Sequence, residues 1–196
     1  MIMSVFKLYF ELGLSHITDL QGYDHILFLV TLCAVYSFKQ WKSILILITG
    51  FTIGHCTTLL LATFNFITIS SKLIEFLIPV TILLTAITNI IYRKNTISKN
   101  LHHIKYLATL FFGLIHGLGF SNYLKSLLGS EISILKPLLA FNLGIELGQI
   151  IIVSALLIFS IFVTRMLNLE KQDWSFVLSG SGLGIALILI LERFPF

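Results

Sequence analysis

Charge is scarce in this chain. Of its 196 residues, 13 are Lys or Arg and 9 are Asp or Glu, 11% in all, against 57% hydrophobic residues, and the mean hydropathy is +0.98. So little polar surface excludes a water-soluble globule and marks a polytopic, all-α membrane protein. Cysteine is almost absent as well. Cys33 and Cys56 stand in separate apolar segments with no Cys-x-x-Cys pair, which excludes a disulfide framework and a thiolate zinc site. Linkers, low-complexity tracts and any repeat longer than a few residues are missing too, so one transmembrane domain over 1–196 is expected. The net charge of +4 would point to nucleic acid in a soluble chain, but here the basic residues fall in short loops and act as topology signals; nucleic acid is not an expected partner. The first 14 residues carry Lys7 and Glu11 and lack a long uncharged core and a small-x-small cleavage site. They are therefore not read as a cleaved signal peptide.

Apolar length is what the chain has in abundance. A helix needs about 20 mostly apolar residues to cross the hydrocarbon, and six stretches approach or meet this: 24–38, 43–66, 73–92, 104–124, 134–164 and 174–193. The first is short unless Gly22 to Asp24 belong to it. Residues 1–20, with Lys7 and Glu11 four apart on one face, suit a helix lying in the interface plane. Cytoplasmic loops retain Lys and Arg. Loops one, three and five hold Lys39, Lys42, Arg93, Lys94, Lys99, Lys105, Arg165 and Lys171, against Lys7, Lys72, Lys125, Lys136 and Arg193 on the other side. The bias places both termini outside.

Against this background the ionisable residues inside the spans stand out. A charge at the centre of a bilayer costs about 3 kcal/mol or more, so an intramembrane acid or imidazole is a functional-site hypothesis. Asp24 and His25 open the first span, His55 lies in the second, Glu75 in the third, His116 in the fourth, and Asn142, Glu146 and Gln149 in the fifth. At about 1.5 Å of rise per residue, His55 lies roughly 20 Å and His116 roughly 17 Å from the inner ends of their helices, and Glu146 about 15 Å from the outer end of its own. All then share a slab running from the outer surface to mid-membrane. Asn142, Glu146 and Gln149, spaced four and three, share one helix face. Gly144 and Gly148 beside them, and Gly113, Gly117 and Gly119 around His116, allow close helix approach. His16 and Cys56 are secondary candidates. Simpler roles exist for each: Asp24 as a helix N-cap, His55 and His116 as interhelical hydrogen-bonding groups, and Glu75 as an interfacial residue near Lys72. His102 and His103 belong to a solvated basic loop. The aromatic residues, 17 Phe among them, are read as lipid-facing filler.

With these residues in view the chain resembles the HupE/UreJ family nearly end to end. The resemblance is carried by Gly22-Tyr23-Asp24-His25-Ile26-Leu27-Phe28-Leu29, Phe51-Thr52-x-x-His55-x-x-Thr58-Leu59, Glu75, Phe112-Gly113-Leu114-x-His116-Gly117-Leu118-Gly119-Phe120, and Phe141-Asn142-Leu143-Gly144-Ile145-Glu146-Leu147-Gly148-Gln149. It implies a bacterial inner-membrane protein that supplies nickel or cobalt, with hydrogenase or urease maturation proteins as partners, and His25 looks like the histidine of the Asp-His signature of nickel/cobalt permeases. Cys56 departs from the expected Ser. Imidazole with carboxylate suits Ni(II), Co(II) and Zn(II) alike. Two functions are therefore expected: a divalent-metal permease with Asp24, His25, His55, His116 and Glu146 as ligands, or an intramembrane zinc hydrolase in which Glu146 is the general base to a metal-bound water.

Overall fold

A computed structural model of the protein describes residues 4–92, 99–128 and 134–195. Among these the chain forms seven α-helices, α1 (Val5–Thr18), α2 (Asp24–Cys33), α3 (Trp41–Thr63), α4 (Ser71–Ile91), α5 (Lys99–Leu128), α6 (Leu135–Met166) and α7 (Lys171–Glu192), with a 3-10 turn, Phe38–Gln40, leading into α3. Arg93 and Lys94 of the third loop lie outside the described residues.

The helix boundaries follow from side chains that compete for the backbone. Ser4 caps α1 by accepting the Lys7 N–H. Asp19 ends the helix: its Oδ1 accepts the Gln21 N–H at 2.9 Å, an Asx turn that swings the chain through Gly22 into α2. Ser37 and Gln40 form a capping box ahead of α3. Asn65 and Asn168, just beyond α3 and α6, adopt the left-handed conformation at φ 60° and 49°, which asparagine tolerates better than most residues.

Five stretches are long and apolar enough to cross a membrane: Phe38–Thr63, Ser71–Ile91, His102–Ser121, Leu135–Met166 and Lys171–Glu192. They match five of the six expected spans. The first expected span does not exist as a full helix, because α2 has only 10 residues, about 15 Å of rise against a hydrocarbon thickness of about 30 Å. Its path is completed by non-helical chain. At one end Asp24 binds Arg193 at the close of α7; at the other Tyr36 meets His102 near the start of α5 through a 3.3 Å hydroxyl-to-imidazole contact. Ala34 and Tyr36 are buried, and irregular backbone is tolerated at depth where protein covers it.

Two helix pairs make the frame, and both depend on glycine. In the α3/α5 pair a Cβ on Gly54 would lie 2.2 Å from the Leu110 carbonyl oxygen, on Gly113 2.2 Å from that of Phe51, and on Gly117 2.4 Å from that of His55. In the α1/α6 pair a Cβ on Gly13 would lie 2.0 Å from the Phe141 carbonyl and on Gly144 2.1 Å from that of Phe10. Backbones touch in both, as small residues permit. The α1 register advances with that of α6, from Phe10 and Gly13 against Phe141 and Gly144 to Ile17 against Gly148. So α1 lies lengthwise along a long apolar helix rather than flat at a surface, because Gly13, Gly144 and Gly148 offer it a seam. Against these pairs, α2 packs on α4, α6 and α7, and α4 on α5 and α7.

Two ends of the bundle can be distinguished. Tyr36, His102, Gln40 and Lys171 gather at one, which we call the basic end. Asn65 with Lys125, and Asp24 with Arg193, gather at the other. In a background lacking native cysteines, Lys39→Cys and Phe66→Cys should react with an impermeant maleimide from opposite sides of sealed vesicles; labelling from one side would break this arrangement. Gly113→Ala, which pushes a methyl into the Phe51 carbonyl, should destabilise by about 1–3 kcal/mol in detergent melting. Gly180→Ala, where nothing lies within 4 Å, should be neutral or stabilising.

Candidate metal site

Each frame pair contributes histidine to the same point. The α3/α5 glycine contacts set His55 beside His116, since Gly117 itself touches the His55 carbonyl. The α1/α6 seam delivers His16 from the last turn of α1, and α2 inserts His25 from its first turn. Ring centroids are 4.7 Å apart for His16 and His25, 6.0 Å for His16 and His55, 6.5 Å for His25 and His55, and 5.1 Å for His25 and His116. His16, His25 and His55 can each offer a ring nitrogen to a common point, with those atoms all within 4.8 Å of one another. Among the described residues this is the one set of three metal-ligating side chains so placed.

What distinguishes these rings is what they lack. His16 Nε2, both nitrogens of His25, both of His55, and His116 Nδ1 are buried without a hydrogen-bond partner. A buried polar atom left unmatched costs about 1–3 kcal/mol, and native proteins seldom leave one so, let alone six on four neighbouring rings. Burial, and then the neighbouring His25 and His55, push the His16 imidazole well below its usual pKa. A neutral ring is the metal-binding form.

The surroundings are aromatic. Phe120 lies 4.0 Å from His16 and stacks on Phe141 at 5.1 Å, while Phe28 and Phe51 pack on His116 at 5.4 and 5.1 Å. Phe28, Phe51 and Phe141 are at most 1% exposed. The reading of phenylalanine as lipid-facing filler fails here, because it ignored that Phe28, Phe51 and Phe112 stand three or four residues from His25, His55 and His116 on the same helix faces. An open cleft of about 720 Å³, lined by Leu12, Ser15, His16, Thr18, Asp19, Leu20, Gln21, Phe120 and Tyr123, reaches His16 from the outside.

The acidic candidates fare differently. Asp24 is buried, but its Oδ2 accepts Arg193 Nη1 at 3.1 Å and its Oδ1 accepts the His25 backbone N–H at 3.0 Å. Oδ1 also lies 3.2 Å from His25 Nδ1, which makes no hydrogen bond. Asp24 thus holds the first turn of α2, where a carboxylate favours the helix N-terminus, and stands behind His25. Glu75 exposes its side chain and contributes its carbonyl, which Arg193 approaches at 3.5 Å. That carbonyl is free because its helical partner four residues on is Pro79, which has no N–H.

Glu146 is half-buried and accepts the Thr49 hydroxyl at 2.7 Å; it is not brought into the histidine set. Gln149 accepts Thr52 at 2.9 Å, and the Asn142 amide donates to the Leu138 carbonyl. Asn142 Oδ1 and Gln149 Nε2 remain buried and unmatched. Cys56 is half-buried with a free thiol.

Sequence reasoning kept His16 as a secondary candidate, because it laid residues 1–20 in the interface plane; the glycine seam brings that residue beside His25 and His55. It missed Thr81, whose hydroxyl sits 3.3 Å from His116 Nε2, and Arg193, counted as a loop charge. No spacing in the sequence would have paired Arg193 with Asp24, 169 positions away.

No curated protein and no solved structure matches this chain. The family model described as HupE / UreJ protein matches residues 1–192, nearly the whole length and every glycine, histidine and aromatic residue of the site just built. The chain is thus a multi-pass membrane protein of the HupE/UreJ family.

Proposed function

We propose that the protein is a divalent transition-metal transporter or metal-supply protein of the bacterial inner membrane, with Ni(II) or Co(II) as cargo and both termini on the outer side. One observation carries the reading: His16, His25 and His55 can direct one ring nitrogen each at a common point, in a cluster whose buried imidazoles leave six nitrogens without a hydrogen bond. Neutral imidazole suits nickel, cobalt and zinc, and a site of nitrogen donors without thiolate leaves exchange open. His16, His25 and His55 are the proposed ligands. Asp24 sets the orientation of His25, and His116 stands beside the ion, its far nitrogen held by Thr81. The cleft at His16 supplies entry from the end opposite the basic loops. Hydrogenase or urease maturation proteins, as the family resemblance implies, are the downstream recipients.

Hydrolysis at a resident zinc finds less support. It needs a base beside the metal-bound water, and the residue assigned to that task, Glu146, is engaged by Thr49 instead.

Purified protein should retain one Ni(II), Co(II) or Zn(II) per chain through gel filtration. His16→Ala and His55→Ala should each weaken the affinity at least tenfold and stop Ni(II) entry into proteoliposomes, while His103→Ala should retain both properties. Glu146→Gln should keep the metal. Retention that survives loss of His55 but not of His103 would overturn the assignment.

A further inference from the structure

Below the histidine cluster, toward the basic end, a second polar site lies inside the bundle. Lys105, which its position in the sequence suggested as a loop charge, is 6% exposed and falls within the apolar stretch His102–Ser121. Its ammonium donates to Asn89 Oδ1 and lies 5.9 Å from the centre of the Tyr36 ring. Among the described residues no carboxylate pairs with it. Asn89 is itself fixed, donating to the Thr31 carbonyl at 2.6 Å and to Ser179 Oγ at 3.3 Å. A buried ammonium with no carboxylate beside it is costly, and inside an apolar span it is by default a candidate for function.

The two sites are joined. On α5, His116, Phe112, Thr109 and Lys105 follow one another at spacings of four, three and four, a single helix face. On α4, running the other way, Thr81, Thr85 and Asn89 follow at four and four. All seven are buried. Thr81 meets His116 at one end of this seam and Asn89 meets Lys105 at the other. Beside the seam lies a half-open hollow of about 70 Å³, lined mostly by apolar side chains, Leu32 and Phe112 among them, together with Thr85, Thr88, Thr109 and Lys105. At the histidine end of the seam Phe28 packs on Phe51 and on Phe112, and Phe28 and Phe51 pack on His116.

From this arrangement we infer that the α4/α5 seam is the inner half of the cation's route and that the Lys105 ammonium is its gate, a tethered cation seated in the oxygen site that a passing ion must occupy. The inference rests on the transport reading above. A divalent ion leaving the histidines meets a like charge in a low-dielectric passage, where repulsion is strong. It advances only when the four-carbon stem of Lys105 swings toward the basic end and vacates Asn89. Arginine keeps the charge; glutamine removes it yet still offers an N–H to Asn89, so that amide is not orphaned.

The test uses full-length protein in liposomes loaded with a Ni(II)-quenched dye, with metal content of the purified protein measured in parallel. Lys105→Gln should bind Ni(II) with wild-type stoichiometry and pass it downhill at least tenfold faster than wild type, whereas Lys105→Arg should stay within about twofold of wild type. Unchanged or slower flux in a Lys105→Gln protein that remains monodisperse and loads metal would overturn the gate, even where wild-type flux upholds transport. Faster flux in both variants would also overturn it, since charge would then be irrelevant. A wild-type protein that binds no Ni(II) would instead refute the transport reading, and the gate with it.

Discussion

Everything in this bundle depends on backbones that touch. Where a Cβ on Gly117 would fall 2.4 Å from the His55 carbonyl and one on Gly13 2.0 Å from that of Phe141, no side chain separates the helices, and their relative positions are set by main-chain contact rather than by deformable packing. Lipid offers no hydrophobic gain for association, so close van der Waals approach is the force available. Its consequence is chemical. The α3/α5 contact fixes His55 against His116, the α1/α6 contact carries His16 into the interior, and α2, short and held at its first turn by Asp24, brings His25 between them. Four imidazoles from four helices, plus the aromatic rings around them, meet because two glycine seams leave them no alternative.

Charge is distributed by the same economy. The described bundle buries one carboxylate and one ammonium of note, and they are kept apart: Asp24 with Arg193 at the end opposite the basic end, Lys105 with Asn89 toward the basic end. Arg193 gathers the Asp24 carboxylate and the Glu75 carbonyl released by Pro79, so a proline in α4, an acid in α2 and the close of α7 are joined by one guanidinium suited to several acceptors at once. Between the two charges the interior is neutral, filled by imidazole, threonine hydroxyl and phenylalanine. From the cleft at His16 toward the basic end, nitrogen donors therefore come first and positive charge last.

The sequence showed the all-α membrane class, five of the helices and the identity of the polar residues, because hydropathy and spacing are local properties. Asp24, His25, His55 and His116 were legible as a shared slab from helix rise alone. The partnership of His16 was not, since it depends on Gly13 finding Phe141, a contact between residues 128 positions apart with no local signature. Glu146 misled for a related reason: its spacing from Asn142 and Gln149 fixes a helix face, but a face has width, and Glu146 sits at the edge that meets Thr49. The 10-residue length of α2 was half-visible in the shortness of its apolar run. Lys105 was hidden by its place at the start of a span, where lysines commonly reach back to water.

The central claim is that imidazoles from α1, α2 and α3 share one ion, and X-ray absorption at the nickel edge of the protein loaded with one equivalent of Ni(II) addresses it most directly. The outer-shell scattering should require three imidazole rings, falling to two in His16→Ala. A first shell of oxygen alone, or a spectrum unchanged by loss of His16, would contradict it.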